Sequence, residues 1–226
     1  MLIVIARYNE DIEWSKKYSS NVLIINKGER IEGIDNQIFY PNVGREGHSY
    51  YKYIYDNYDN LDDYIIFLQG NPLDHSPDII NILDIIINIY NKNKDDLMNI
   101  IINNNIIKYT IIDCGNNNLN NIYVNDIKNS NFIYISQYIN KTSIKTEEKM
   151  WEKCRTIVNS YRKVFDIKIE DDLKFLYGAG AQFLVSKKSI LKYPKEYYEK
   201  FYKLLDEEND PIEGYTIERF HKYIFD

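Results

Sequence analysis

The chain has 226 residues, of which 44% are hydrophobic and 27% charged, and a formal net charge of −6. This length can bury a full apolar core without disulfides or metal, and the acidic balance excludes a general nucleic-acid binder, whose affinity would rest on neutralising phosphates with Lys and Arg. Two cysteines, Cys114 and Cys154, form no C-x-x-C pattern, which argues against a thiolate zinc site and suits a reducing compartment.

In chain order, Leu2 to Ala6 is an apolar run that predicts a buried strand ending in Arg7-Tyr8-Asn9-Glu10. A short helix carrying Trp14 and Tyr18 on one face follows. A second buried strand, Asn21 to Ile25, ends at Asn26-Lys27-Gly28. Strand, helix and strand in this space indicate a βαβ unit and a parallel sheet. Pro41-Asn42-Val43-Gly44 leads into a helix from Arg45 to Tyr58, whose buried face is Tyr51, Ile54, Tyr55 and Tyr58. Tyr64 to Leu68 is the next buried strand, stopped by Gln69-Gly70-Asn71-Pro72. Pro77 opens a helix from Asp78 to Tyr90.

Residues 91–145 mix Asn-rich turns with short strands at Ile106 to Ile112 and Phe132 to Tyr138, and read as a variable insertion packed on the sheet. Ile, Asn, Tyr and Lys dominate the chain as AT-rich codons would dictate, so an Asn carries little signal here, while the 9 glycines and 5 prolines carry more. A helix from Glu147 to Asp166 aligns Met150, Cys154, Ile157, Val158, Tyr161 and Phe165. Then come Gly178-Ala179-Gly180-Ala181, a strand from Gln182 to Val185, a helix near Ser189 and an aromatic helical tail from Pro194. The expected architecture is one α/β domain over residues 1–226, Rossmann-like, with a mostly parallel central sheet flanked by helices. It divides into a nucleotide-binding half to about residue 90, the insertion, and an acceptor-side half from about residue 146. No run reaches the length a bilayer requires, and MLIVIARYNE lacks the basic region of a signal peptide. The expectation is a soluble, cytoplasmic protein without a membrane span.

Ligands of open parallel sheets bind outside the carboxyl ends of the strands. Those ends carry Arg7 to Glu10, Asn26 to Gly28, and Gln69 to Asn71, while Arg45 opens a helix whose N–H groups suit phosphate. Each cluster alone would also serve as an ordinary polar cap; together they point to a nucleotide or phosphate ligand.

VIARYNEDIEW, NVGREGHSYYKYIYDNYDNLDDYIIFLQGNP, GAGAQFLVSKKSI and PIEGYTIERFHKYIF resemble a family of uncharacterised domains from fungi and large DNA viruses, which in turn resembles the GT-A class of nucleotide-sugar glycosyltransferases. The likeness covers roughly residues 1–80 and 175–225. It implies transfer of a sugar from a nucleotide-diphosphate sugar to a hydroxyl of a glycan or protein acceptor, for a viral member in glycan synthesis in the host cytoplasm; a catalytically inactive sugar-nucleotide or glycan binding module of the same fold is the alternative. Carried over residue by residue, the donor site would comprise Ala6, Arg7, Tyr8, Asn9, Glu10, Asn26, Lys27, Gly44, Arg45, Gln69, Gly70 and Asn71.

Gln69-Gly70-Asn71 stands where such enzymes carry a metal-binding Asp-x-Asp, and neutral amides are poor ligands for Mn or Mg. Asp74 and Asp78 could substitute, though both also suit capping of the next helix. Without metal, Arg45, Lys27, Arg219 and His221 would neutralise the diphosphate. His75, Gly178, Ala179, Gly180 and Gln182 would form the acceptor side, and Glu213, then Glu218, would act as base. His48, Trp14 and Trp151 read as structural, and the sequon at Asn140-Lys141-Thr142 as incidental.

Overall fold

The computed structural model describes residues 1–114, 128–129, 131–144, 146–147 and 173–225. Four strands, β1 (Leu2–Arg7), β2 (Val22–Asn26), β3 (Gln37–Phe39) and β4 (Tyr64–Gln69), run parallel in the order β3-β2-β1-β4. Beyond β4 the direction reverses. β10 (Phe183–Ser186) pairs antiparallel with both β4 and β7 (Phe132–Tyr134), and β7 pairs antiparallel with β6 (Lys128–Asn129). The seven-stranded sheet is therefore mixed, with as many antiparallel as parallel pairings, and the expectation of a mostly parallel sheet is corrected. β10 enters from the turn at Gly180, which brings the chain over from the second sheet to lie antiparallel beside β4. A second sheet comprises β5 (Thr110–Asp113), β8 (Tyr138–Ser143) and β9 (Lys174–Gly178).

The alternating side chains of the buried strands serve two cores. Val4, Ala6, Ile65 and Phe67 face α1 (Arg45–Asp56), the short α4 (Lys187–Ile190), α5 (Lys195–Leu204) and α6 (Ile212–Phe225). Ile3, Ile5, Ile66 and Leu68 face α2 (Ile79–Lys92) and α3 (Leu97–Asn103). Both faces of the central strands are covered, which is why these segments read as continuous apolar runs. The α1 core is aromatic: Tyr50, Tyr51, Phe67, Phe183, Tyr198 and Phe225 are all fully buried.

Phe132 to Tyr138 is not one strand. The chain leaves the central sheet after Tyr134, bends, and enters the second sheet at Tyr138. The bend is fixed by Ile135 N–H donating to Gln182 O at 2.9 Å and Gln137 N–H donating to His75 O at 2.9 Å. The expected short helix carrying Trp14 and Tyr18 is a 3-10 helix, Glu13–Asn21. β3, β6 and β9, and β8 beyond Tyr138, are additional to the expected strands. Of the expected helix from Glu147 to Asp166, Met150, Trp151, Cys154, Ile157, Val158, Tyr161 and Phe165 lie outside the described residues. Among the described residues, no helix is long and apolar enough to cross a membrane.

Candidate functional site

The sheet order reverses between β1 and β4, and a cleft of about 490 Å³ opens at their carboxyl ends. That is the switch point at which α/β sheets bind ligands, and the volume is that of a small-molecule site. β1 contributes Ala6, Arg7, Tyr8 and Glu10; the end of β2 contributes Lys27; α1 and the loop before it contribute Asn42, Arg45 and Glu46. The end of β4 contributes Gln69, Asn71, Asp74 and His75, and Asn209 reaches in from the loop before α6. A larger surface groove of about 830 Å³, lined by Asp63, Lys94, Lys187, Lys188 and Lys192 among others, lies at the amino end of β4, away from the strand ends that carry the polar clusters.

The cleft walls are held by side chains that sequence reasoning placed in the site. Arg7 Nη1 donates to Asn26 Oδ1 and to Glu29 O, both at 3.0 Å, and Arg7 Nε donates to Glu10 O at 3.0 Å. Asn26 is fully buried, donating to Glu29 O at 2.7 Å and to Gln37 Oε1 at 3.1 Å. It therefore ties the ends of β1, β2 and β3 together behind the cleft wall. Tyr8 N–H donates to Glu10 Oε2 at 2.7 Å, folding the loop after β1. Asn9 is exposed, outside the lining, and Gly70 abuts the Glu10 side chain.

Lys27 Nζ donates to Val43 O at 2.5 Å and also to Arg45 O. An ammonium has three donors, so one remains for a ligand. Burial pulls the Lys27 pKa down to about 8, with Glu46 opposing. Arg45 Nη1 donates to Tyr215 Oη at 2.7 Å and stands 3.4 Å from Asp210 Oδ1, while Arg45 Nε lies 3.6 Å from Glu46 Oε2. The entry to α1 is left-handed at Gly44 (φ 61°) and Arg45 (φ 48°). Gly44 N–H and Arg45 N–H donate to Glu208 O and Asn209 O at 2.8 and 3.2 Å, so these two N–H groups are committed to the loop and not to a ligand.

Beside the cleft a small annex of about 10 Å³ shares Arg45 and Glu46 with it and adds Gly47, Ala181, Gly214, Tyr215, Glu218 and His221. Glu218 Oε1 accepts from Gly180 N–H at 2.8 Å. Burial pushes its carboxyl pKa up, and the neighbouring Glu46 charge adds to this. Ala181, like Arg45, has a positive φ (52°), an uncommon state for a residue with a Cβ.

Other predicted residues sit elsewhere. Glu213 occupies the first turn of α6 and is not part of either lining. Arg219 is 3% exposed and its Nε donates to Glu147 Oε2 at 2.7 Å, with its guanidinium over Tyr177 at 4.8 Å, so its charge is spent inside the fold. His221 packs against Phe183 and Tyr51, and burial drives its pKa to about 3, so it brings no positive charge near neutral pH. Gln182 is buried between Ser76 and the Pro72 carbonyl. Gly178 packs on Tyr134, Ser136 Oγ donates to Ala179 O at 2.5 Å, and Gly180 (φ 77°) lies against the His75 ring. His75 alone of this acceptor-side group lines the cleft.

The donor set does not suit a hard dication. Gln69 Nε2 donates to Asn71 O at 2.8 Å, and Asn71 Nδ2 donates to Asp74 Oδ2 at 2.9 Å. Asp78 is clamped by Gln137, whose Oε1 accepts from Asp78 N–H at 2.7 Å while its Nε2 donates to Asp78 Oδ2 at 3.1 Å. Among the described residues, no group of three or more His, Cys, Asp or Glu side chains could hold a metal ion.

The residues that sequence reasoning missed include Glu46, Asn209, Ala181 and Tyr215. Glu46 carries no signal beyond that of any acid in a first helical turn, Asn209 was hidden by the Asn bias, and the left-handed backbone at Ala181 is visible only in the fold. A family model matches residues 2–226. The chain belongs to the family described as "Protein of unknown function (DUF3431)". No curated protein and no solved structure matches it.

Proposed function

We propose that the chain is a glycosyltransferase that binds a nucleotide-diphosphate sugar in the cleft between β1 and β4 and passes the sugar to a hydroxyl acceptor. The supporting observation is the lining: three cations, Arg7, Lys27 and Arg45, and three carboxylates, Glu10, Glu46 and Asp74, share one cleft at the switch point of the sheet. A diphosphate uses the cations, and the hydroxyls of ribose and sugar use the carboxylates and amides. A purely phosphate-binding site would not need the acids, and a neutral sugar site would not need the cations.

In this reading the leaving diphosphate is stabilised by the remaining Lys27 N–H, by Arg45 and by Arg7, without a step routed through metal. The acceptor hydroxyl gives its proton to a carboxylate as the bond to the anomeric carbon forms and the bond to the diphosphate breaks. Glu46 is assigned that role because it lines both the cleft and the annex beside it. The neutral, mutually bonded Gln69 and Asn71 favour one other reading, a binding module that holds the donor without turnover.

Release of free nucleotide from uridine and guanosine diphosphate sugars separates the two. Transfer predicts turnover in the wild type, at least slow donor hydrolysis, that falls by about 10²-fold or more in Glu46→Gln while donor binding persists. Donor binding with no nucleotide release leaves the binding module; no binding removes both.

A further inference from the structure

Arg45 lines the cleft with its charge already engaged. Its Nη1 donates to Tyr215 Oη at 2.7 Å and to Asp210 Oδ1 at 3.4 Å, and its Nε lies 3.6 Å from Glu46 Oε2. Tyr215 Oη donates in turn to Asp210 Oδ2 at 3.2 Å, which closes a triangle of Arg45, Tyr215 and Asp210. An anion that approaches Arg45 therefore meets two carboxylates already on the guanidinium.

The two carboxylates are held differently. Glu46 is the next residue along α1, and its side chain is 15% exposed. The Asp210 side chain is 51% exposed and belongs to a run, residues 206–210, that is exposed throughout. That run is fastened by its backbone, through Glu208 O and Asn209 O, which accept from Gly44 N–H and Arg45 N–H. The Asp210 carboxylate can thus turn into water while the loop and Asn209, which lines the cleft, keep their places. An exposed ion pair is weak, and breaking this one leaves no buried charge unpaired. A diphosphate offers Arg45 charge-assisted bonds in exchange and meets Lys27 in the same cleft.

We propose that Asp210 is a built-in competitor for the anionic group of the ligand: it neutralises Arg45 until a diphosphate takes the guanidinium, and so sets how much negative charge a ligand must bring to the cleft. A ligand that offers a single carboxylate gains nothing by the exchange, whereas one that engages Arg45 and Lys27 together does. The inference rests on the reading of the cleft as a diphosphate site and is independent of sugar transfer.

The test is calorimetric titration of the full chain with inorganic pyrophosphate at about 0.15 M salt, where distant surface charges are largely screened. Asp210→Asn keeps the size of the side chain and removes its charge. Glu207→Gln removes the same charge from the same exposed run and serves as the control. The expected result is binding about three- to fivefold tighter in Asp210→Asn than in the wild type, with a change of less than about 1.5-fold in Glu207→Gln. Unchanged or weaker binding in Asp210→Asn would show that the carboxylate positions Arg45 instead of competing for it, and overturns the inference. An equal gain in both variants reduces the effect to long-range charge and overturns it as well. Either result leaves the diphosphate reading of the cleft standing; absence of pyrophosphate binding in all three proteins removes the two together.

Discussion

Lys27 is the cleft side chain whose charge sits nearest a switch. Its pKa, pulled down to about 8 by burial, means that the protonated form that the proposed diphosphate ligand requires is lost as pH rises through that value. Affinity for a nucleoside diphosphate is expected to fall between pH 7 and pH 9 and to lose most of that pH dependence in Lys27→Met, which binds about tenfold more weakly at pH 7. Titration calorimetry at several pH values checks this; an affinity unchanged by Lys27→Met removes the residue from the site. Lys27 was legible in the sequence because it ends an apolar run beside a glycine. Its bonds to Val43 O and Arg45 O were not, because they join segments that only the tertiary fold brings together.

The element that sets the cleft's shape is the start of α1. A Cβ on Gly44 would lie 2.4 Å from Leu205 O, and the backbone there is left-handed. Gly44→Ala is expected to lower stability by about 1–2 kcal/mol from conformation alone, and more from the clash, read as a lower urea midpoint. Against the middle of α6, Glu147 is 1% exposed and accepts from both Arg219 and Thr142. Glu147→Ala would strand the buried Arg219 charge and cost about 3–5 kcal/mol; a loss below 1 kcal/mol would show that water reaches the guanidinium. Strands β1, β2 and β4 and the presence of α1 were readable as apolar runs and helical spacing; β3 was not. The buried face of α1 carries Tyr50 and Tyr53 beside Tyr51 and Ile54, while Tyr55 is half-buried and Tyr58 lies past the helix end. The break between β7 and β8 was not readable either, since Phe132 to Tyr138 is apolar and aromatic enough for one strand despite Ser136 and Gln137, and the bend is made by partners distant in sequence, Gln182 and His75. Arg219 and His221 misled for a related reason: a charged or titratable residue on an amphipathic helix reads as functional until its buried partner or ring neighbours are known.

At the scale of the whole molecule, two buried histidines shape the response to acid. Burial holds His48 down to about 4 and His221 to about 3, below the free value of 6.5. The unfolded chain then binds more protons than the native one, so stability falls as pH drops below about 6.5, by up to about 1.4 kcal/mol per unit for each histidine. Urea midpoints at pH 7 and pH 5 should differ accordingly, with a smaller difference in His221→Phe; equal midpoints would mean that the histidines are hydrated.

The two-faced sheet converges the carboxyl ends of β1, β2 and β4 on one hollow, which the strand-end clusters anticipated as a ligand site. That convergence makes the nucleotide-diphosphate sugar cleft the central claim. Its most direct test is calorimetric titration of the full chain with uridine and guanosine diphosphate sugars, with and without manganese. The account predicts one-to-one binding in the micromolar range for at least one donor, without a metal requirement and weakened in Lys27→Met. No measurable binding of any of them at millimolar concentration would contradict it.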